Sequence, residues 1–112
     1  MVEFYRRVVK SILSIPVKEI VYFEYLKMQK EIKIVTRLGE YIYTEAMNKL
    51  EERMQPLGFT LCCRGILVNL ERVVRIKMYD ILLDTGETLP LSQRRVKEFK
   101  ERINEYLHSS FH

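Results

Sequence analysis

Short β-branched and aromatic runs, each closed by turn-forming residues, recur along most of this chain and restrict it to a largely β architecture. Ile20-Val21-Tyr22-Phe23, Ile32-Lys33-Ile34-Val35-Thr36 and Tyr41-Ile42-Tyr43 are close enough in sequence to form a meander. A polar connection at residues 27–30 separates the first two runs, and Gly39-Glu40 supplies a hairpin turn between the second and third. Before them, residues 4–15 mix apolar and basic side chains, with one strand expected through Val8, Val9, Ile12 and Leu13 until Pro16 interrupts it. Val17-Lys18-Glu19 then reads as a short turn.

The second half repeats the theme. Phe59-Thr60-Leu61 begins a run that passes through Cys62-Cys63-Arg64-Gly65. Ile66-Leu67-Val68 fits a strand or a short helical turn, since three residues are too few for periodicity to decide. Val73, Arg75 and Lys77 alternate with Val74, Ile76 and Met78, as on a strand with two unlike faces. Ile81-Leu82-Leu83 is a further strand, and Asp84-Thr85-Gly86-Glu87 turns the chain toward Leu89 and Leu91.

Only two segments carry helical period. Ala46, Leu50 and Met54 recur at four-residue spacing, widened by Met47, after Thr44 as a cap and Glu45 as a favourable first-turn charge. Pro56 and Gly58 end that helix near Gln55. Ser92 offers a second cap, and Val96, Phe99, Ile103 and Leu107 form a stripe with Tyr106 beside it. The expected class is therefore mostly β with small packed helices, an α+β chain. Its 112 residues, 47% hydrophobic with four Gly and three Pro, suit one core and exclude a disordered or low-complexity segment.

Several function classes fall away at once. No histidine precedes His108, and G-x-S-x-G, H-E-x-x-H and Gly-rich phosphate motifs are missing, so neither an enzyme nor a cofactor is expected. Asp80 and Asp84 fit solvated turn positions better than a catalytic pair. The cysteines Cys62 and Cys63 are adjacent, where a disulfide would strain the backbone, and the tail histidines His108 and His112 complete no metal-ligand spacing. Reduced thiols, with no signal-peptide core and no apolar run of about 20 residues, lead us to expect a cytoplasmic protein without a membrane partner. Arg64 beside Cys63 is the cation expected to favour its thiolate.

The charge is informative only where it clusters. The net +4 is shared evenly, +2 in residues 1–56 and +2 in residues 57–112. Arg64, before Gly65, is expected to project from a connection. Arg94 and Arg95 follow Ser92, where cations oppose the positive end of a helix and so suggest an anionic partner. Lys97, Lys100 and Arg102 alternate with Glu98 and Glu101 as an ordinary charged face.

Taken in order, these pieces resemble LytTR DNA-binding domains. Ile20-Val21-Tyr22-Phe23-Glu24 is similar to the opening D-I-x-Y-I-E strand of that family. Residues 59–69, Phe-Thr-Leu-Cys-Cys-Arg-Gly-Ile-Leu-Val-Asn, resemble its F-x-R-x-H-R-S-Y-L-V-N signature, and Leu91-Ser92-Gln93-Arg94-Arg95 its closing V-S-R-R-R-like segment. The resemblance covers residues 16–107 as the DNA-binding domain, after a lead-in at 1–15 and before a tail at 108–112. It implies an elongated multi-sheet fold that presents loops to neighbouring major grooves, as the output domain of a two-component transcriptional response regulator. The implied partners are double-stranded DNA with paired half-sites and, in the intact protein, a receiver domain and a homodimer partner. A protein-interaction module without sequence preference is the alternative.

By position, the resemblance makes Lys30, Arg64 and Arg94 the candidates for base contact. Gln93 and Arg95 flank the last of them, as phosphate or supporting residues. Asn69 matches the motif residue that organises a turn through amide bonds to backbone. Lys33, Arg37, Arg72, Arg75 and Lys77 are weaker phosphate candidates, because strand alternation places them on either face. The chain also departs from the motif: Cys63 stands for histidine, Gly65 for serine, Ile66 for an aromatic and Leu61 for a frequent arginine.

Overall fold

The computed structural model describes residues 2–8 and 11–110; Val9 and His112 lie outside the described residues. Among the described residues, ten strands and two helices follow in the order β1 (Glu3–Val8), β2 (Ser11–Pro16), β3 (Ile20–Leu26), β4 (Glu31–Thr36), β5 (Glu40–Tyr43), α1 (Met47–Met54), β6 (Phe59–Cys63), β7 (Ile66–Asn69), β8 (Val73–Lys77), β9 (Asp80–Leu83), β10 (Thr88–Pro90) and α2 (Val96–Ser110). All pairings are antiparallel. The central sheet has the order β5-β4-β3-β7-β6, flanked by a β1-β2 hairpin and a three-stranded β10-β9-β8 sheet. The molecule measures 41 × 34 × 25 Å.

β3 sits in the middle of the central sheet and is buried on both faces, which explains its nearly unbroken apolar sequence. A register shift between Ile20 and Tyr22 turns two consecutive residues, Val21 and Tyr22, to one side, while Ile20 and Phe23 face the other. The first side packs beneath the three-stranded sheet and α2, around Cys62, Val68, Ile81, Leu83 and Phe99. The second packs beneath the β1-β2 hairpin and α1, around Phe4, Ile34, Leu50, Met54 and Phe59. Phe23 is its hub, with the rings of Phe4 and Phe59 each 5.5 Å away. A fully buried aromatic of this kind contributes about 2–3 kcal/mol of transfer free energy.

Several local expectations change in three dimensions. The single strand expected near residues 8–13 is a hairpin, with Val8 and Ile12 on opposite strands and Phe4 and Ile15 in the core. Ile66-Leu67-Val68 is a strand. Thr44 does not cap α1: the cap position is Ala46, without a side-chain bond, and Ala46 is exposed rather than part of the stripe. Glu45 instead binds the Tyr43 hydroxyl at 2.6 Å and Arg53 at 3.0 Å. The alternation in β8 breaks at a bulge between Val73 and Arg75, which leaves Val74 61% exposed while Val73 and Ile76 pack inward. Ser92 opens a short 3-10 turn over Gln93–Arg95 before α2 and makes no side-chain cap. Leu107, the last residue of the α2 stripe, is 47% exposed. Among the described residues no helix is long and apolar enough to cross a membrane.

Candidate nucleic-acid interface

Strand register carries three separate connections to one end of the central sheet. β3 ends opposite β4 at Leu26 and Glu31, so residues 27–30 emerge there. Glu24 of β3 also pairs with Ile66 of β7, which places the Arg64-Gly65 turn beside that connection. The Tyr25 N–H donates to the Gly65 carbonyl at 2.7 Å. The Ser92 N–H donates to the Cys62 carbonyl at 2.8 Å and draws in the segment at residues 92–95.

Two backbone conformations fix how these connections project. Gly65 adopts φ +85°, and a side chain there would meet Tyr25 only at ordinary contact distances of 3.6–3.9 Å. Backbone handedness, not space, therefore calls for glycine. Lys30 holds φ 57° without being glycine. That conformation costs about 1 kcal/mol or more, and the bond from its N–H to the Leu26 carbonyl at 2.8 Å helps to hold it.

The structure thus brings together Lys30, Arg64, Gln93, Arg94 and Arg95. The first four are exposed and Arg95 is half-buried. Among the described residues, no ion pair or side-chain hydrogen bond engages Lys30, Arg64 or Arg94. The ten residues of the three connections include Lys27, Lys30, Arg64, Arg94 and Arg95 and no acid. They hold five positive charges against a net +4 for the whole chain, so all other residues sum to −1. The even division of charge along the sequence becomes a concentration in space.

Other basic candidates lie elsewhere. Arg72 belongs to the opposite end, where its guanidinium binds the Asp84 carboxylate at 2.9 Å and the Lys18 carbonyl. Asp84 is accordingly an ion-pair partner and not merely a solvated turn residue. Asn69 is 3% exposed; its amide donates to the Ile20 carbonyl at 2.8 Å, and its side-chain oxygen accepts from the Glu71 N–H at 3.0 Å. That bond caps the turn at Leu70–Arg72. Arg37 also sits at the far end, where its N–H reaches the Glu19 carbonyl. Lys33 is paired with Glu24 at 3.3 Å. Arg75 and Lys77 are exposed on the outer face of the three-stranded sheet, beside Asp80, Leu82 and Thr88.

The cysteines are free thiols. Burial pushes the Cys62 thiol far above its ordinary range, and its Sγ donates to the Ile66 carbonyl at 3.8 Å. Cys63 is also raised, again mainly by burial; the Cys62 thiol and Arg95 act in the opposite direction. Arg95, not Arg64, is therefore the cation that Cys63 senses. Among the described residues no three His, Cys, Asp or Glu side chains gather in a metal-binding group.

Two features of this end escaped the sequence. The turn at Met78 and Tyr79 joins it through a 2.8 Å bond from the Leu91 N–H to the Tyr79 carbonyl. Met28, in the connection read as polar, is 90% exposed. A lone methionine carries no pattern that separates an exposed tip from a core position.

The comparisons with known proteins agree on one family. The family model of the LytTr DNA-binding domain matches residues 10–104. A solved LytTr DNA-binding domain from Bacillus cereus, assigned to a methyl-accepting/DNA response regulator, is similar over 90% of this chain and 95% of its own, with a TM-score of 0.75. At 17% identity that likeness speaks for the fold. No curated protein is similar enough in sequence to match. With the family model covering most of the chain, this protein belongs to the LytTR family of DNA-binding domains.

Proposed function

We propose that this chain is a sequence-specific reader of double-stranded DNA, the output domain of a two-component transcriptional response regulator, acting in the cytoplasm through loops in the major groove and without a catalytic step. The observation that carries this reading is the concentration of five positive charges, none of them in an ion pair among the described residues, on three adjacent connections. Phosphate attraction alone would give binding without preference. Arg64 and Arg94 add rigid donor forks with no internal partner among the described residues, and such a fork matches O6 and N7 of guanine.

In this scheme Arg64 and Arg94 discriminate bases, and Lys30 contributes a flexible point charge. Gln93, Arg95 and Arg75 contact phosphate, while Asn69 and Arg72 support the scaffold. The receiver domain of the intact regulator would hold two copies on paired half-sites, where binding of one raises the effective concentration of the other. Selection from a random duplex library of about 30 base pairs, at about 150 mM salt, tests the proposal. A recurring motif is expected. Recovery of unenriched sequence overturns specific reading by this domain and leaves phosphate attraction without preference.

A further inference from the structure

We infer that Met28 is an additional specificity determinant, making an apolar contact with the 5-methyl group of a thymine in the major groove. This rests on the DNA-reading proposal above and adds to it a base type and a residue. Residues 27–30 form a four-residue connection, Lys-Met-Gln-Lys, between the paired ends of β3 and β4. Its closure by the Lys30–Leu26 backbone bond and its left-handed Lys30 hold Met28 in the turn rather than against the sheet. The side chain is 90% exposed, the most of any large hydrophobic among the described residues.

Its neighbours favour this ligand. Lys27 and Lys30 flank it and Arg64 lies on the adjacent turn, so a duplex attracted to these cations meets the methionine in the same approach. No acid interrupts residues 27–30. In the major groove the thymine methyl is the one apolar group on a base edge. Methionine, unbranched and polarizable, adapts to such a small apolar target. The lysines alone would provide phosphate contact; the methionine supplies what they lack, a preference among bases.

The test uses the duplex recovered from the library, with each thymine replaced in turn by deoxyuridine, which removes only the methyl group. The wild-type chain should bind about fourfold more weakly at one position, the effect expected for loss of one buried methyl-sized group. Met28→Ala should lose that sensitivity, and Met28→Leu should keep most of it. Both variants should retain the wild-type melting temperature, because the side chain is exposed. A selected duplex with no uracil-sensitive position, or one whose sensitivity survives in Met28→Ala, overturns the role of Met28 and leaves DNA reading intact. Failure to select any duplex overturns both.

Discussion

The two ends of the central sheet use the same residue types in opposite ways. At one end Arg72 is held by Asp84 at 2.9 Å and by the Lys18 carbonyl, beside the buried Asn69 that joins β3 to the turn after β7. At the other, Lys30, Arg64 and Arg94 have no ion-pair partner among the described residues. An internally paired cation is already committed to the fold. An unpaired cation at the surface keeps its donors for a ligand. The lesson is that the partner of an arginine, more than its presence, assigns its task.

The most disruptive single change should fall at the structural end. Asn69→Ala leaves the Ile20 carbonyl and the Glu71 N–H without their bonds and should cost about 3 kcal/mol, measured by denaturant unfolding. Full stability in that variant would break the contrast. Next come Arg64→Ala and Arg94→Ala, each expected to lose about 1–3 kcal/mol of binding at its preferred base pair. Their melting temperatures should remain at the wild-type value. If affinity and base preference are both unchanged in each, the loop end is not the reader.

A finer comparison sets Arg95 against Arg72. Removing a phosphate contact should lower the salt dependence of binding by about one counterion, so Arg95→Ala should show that decrease while Arg72→Ala loses stability instead. A lower salt slope in Arg72→Ala would place the interface at both ends. The smallest effect near neutrality concerns Tyr22 and Tyr43, whose hydroxyls donate to Glu87 and Glu45. Burial, then those carboxylates, raises both folded-state values above the ordinary 10.0. Their stabilising contribution is complete below about pH 10 and declines as alkali ionises the unfolded chain first. Urea midpoints between pH 8 and 11 should therefore be flat and then fall, and Tyr22→Phe and Tyr43→Phe should each reduce the fall.

What could be read in advance depended on how far the relevant interaction extends along the chain. Ile20-Val21-Tyr22-Phe23 declares a strand because β-branching and aromaticity are local properties. Thr44 caps nothing because the helix begins at Met47 with Ala46 at the cap position, while the neighbouring Glu45 carboxylate is engaged by Arg53 eight residues later and by the Tyr43 hydroxyl, partners outside nearest-neighbour rules. The local pattern gives Val74 a place in a regular alternation, yet the bulge beside it arises from pairing with β9. The motif-like residues at 59–69 and 91–95 made candidate positions legible. Their freedom from partners was not, because Arg72 and Arg94 are chemically the same side chain.

The sequence by itself determined a mostly β chain with two amphipathic helices, the positions of its main turns and its family, since each follows from local propensity, hydrophobic period or ordered motifs. Only the tertiary structure decided that three connections, separated by up to 65 positions between Lys30 and Arg95, share one end of a sheet. It also decided that the chain's excess positive charge collects there. The physical reason is that strand register and long-range backbone hydrogen bonds set these distances, and both depend on partners that no local stretch of sequence contains.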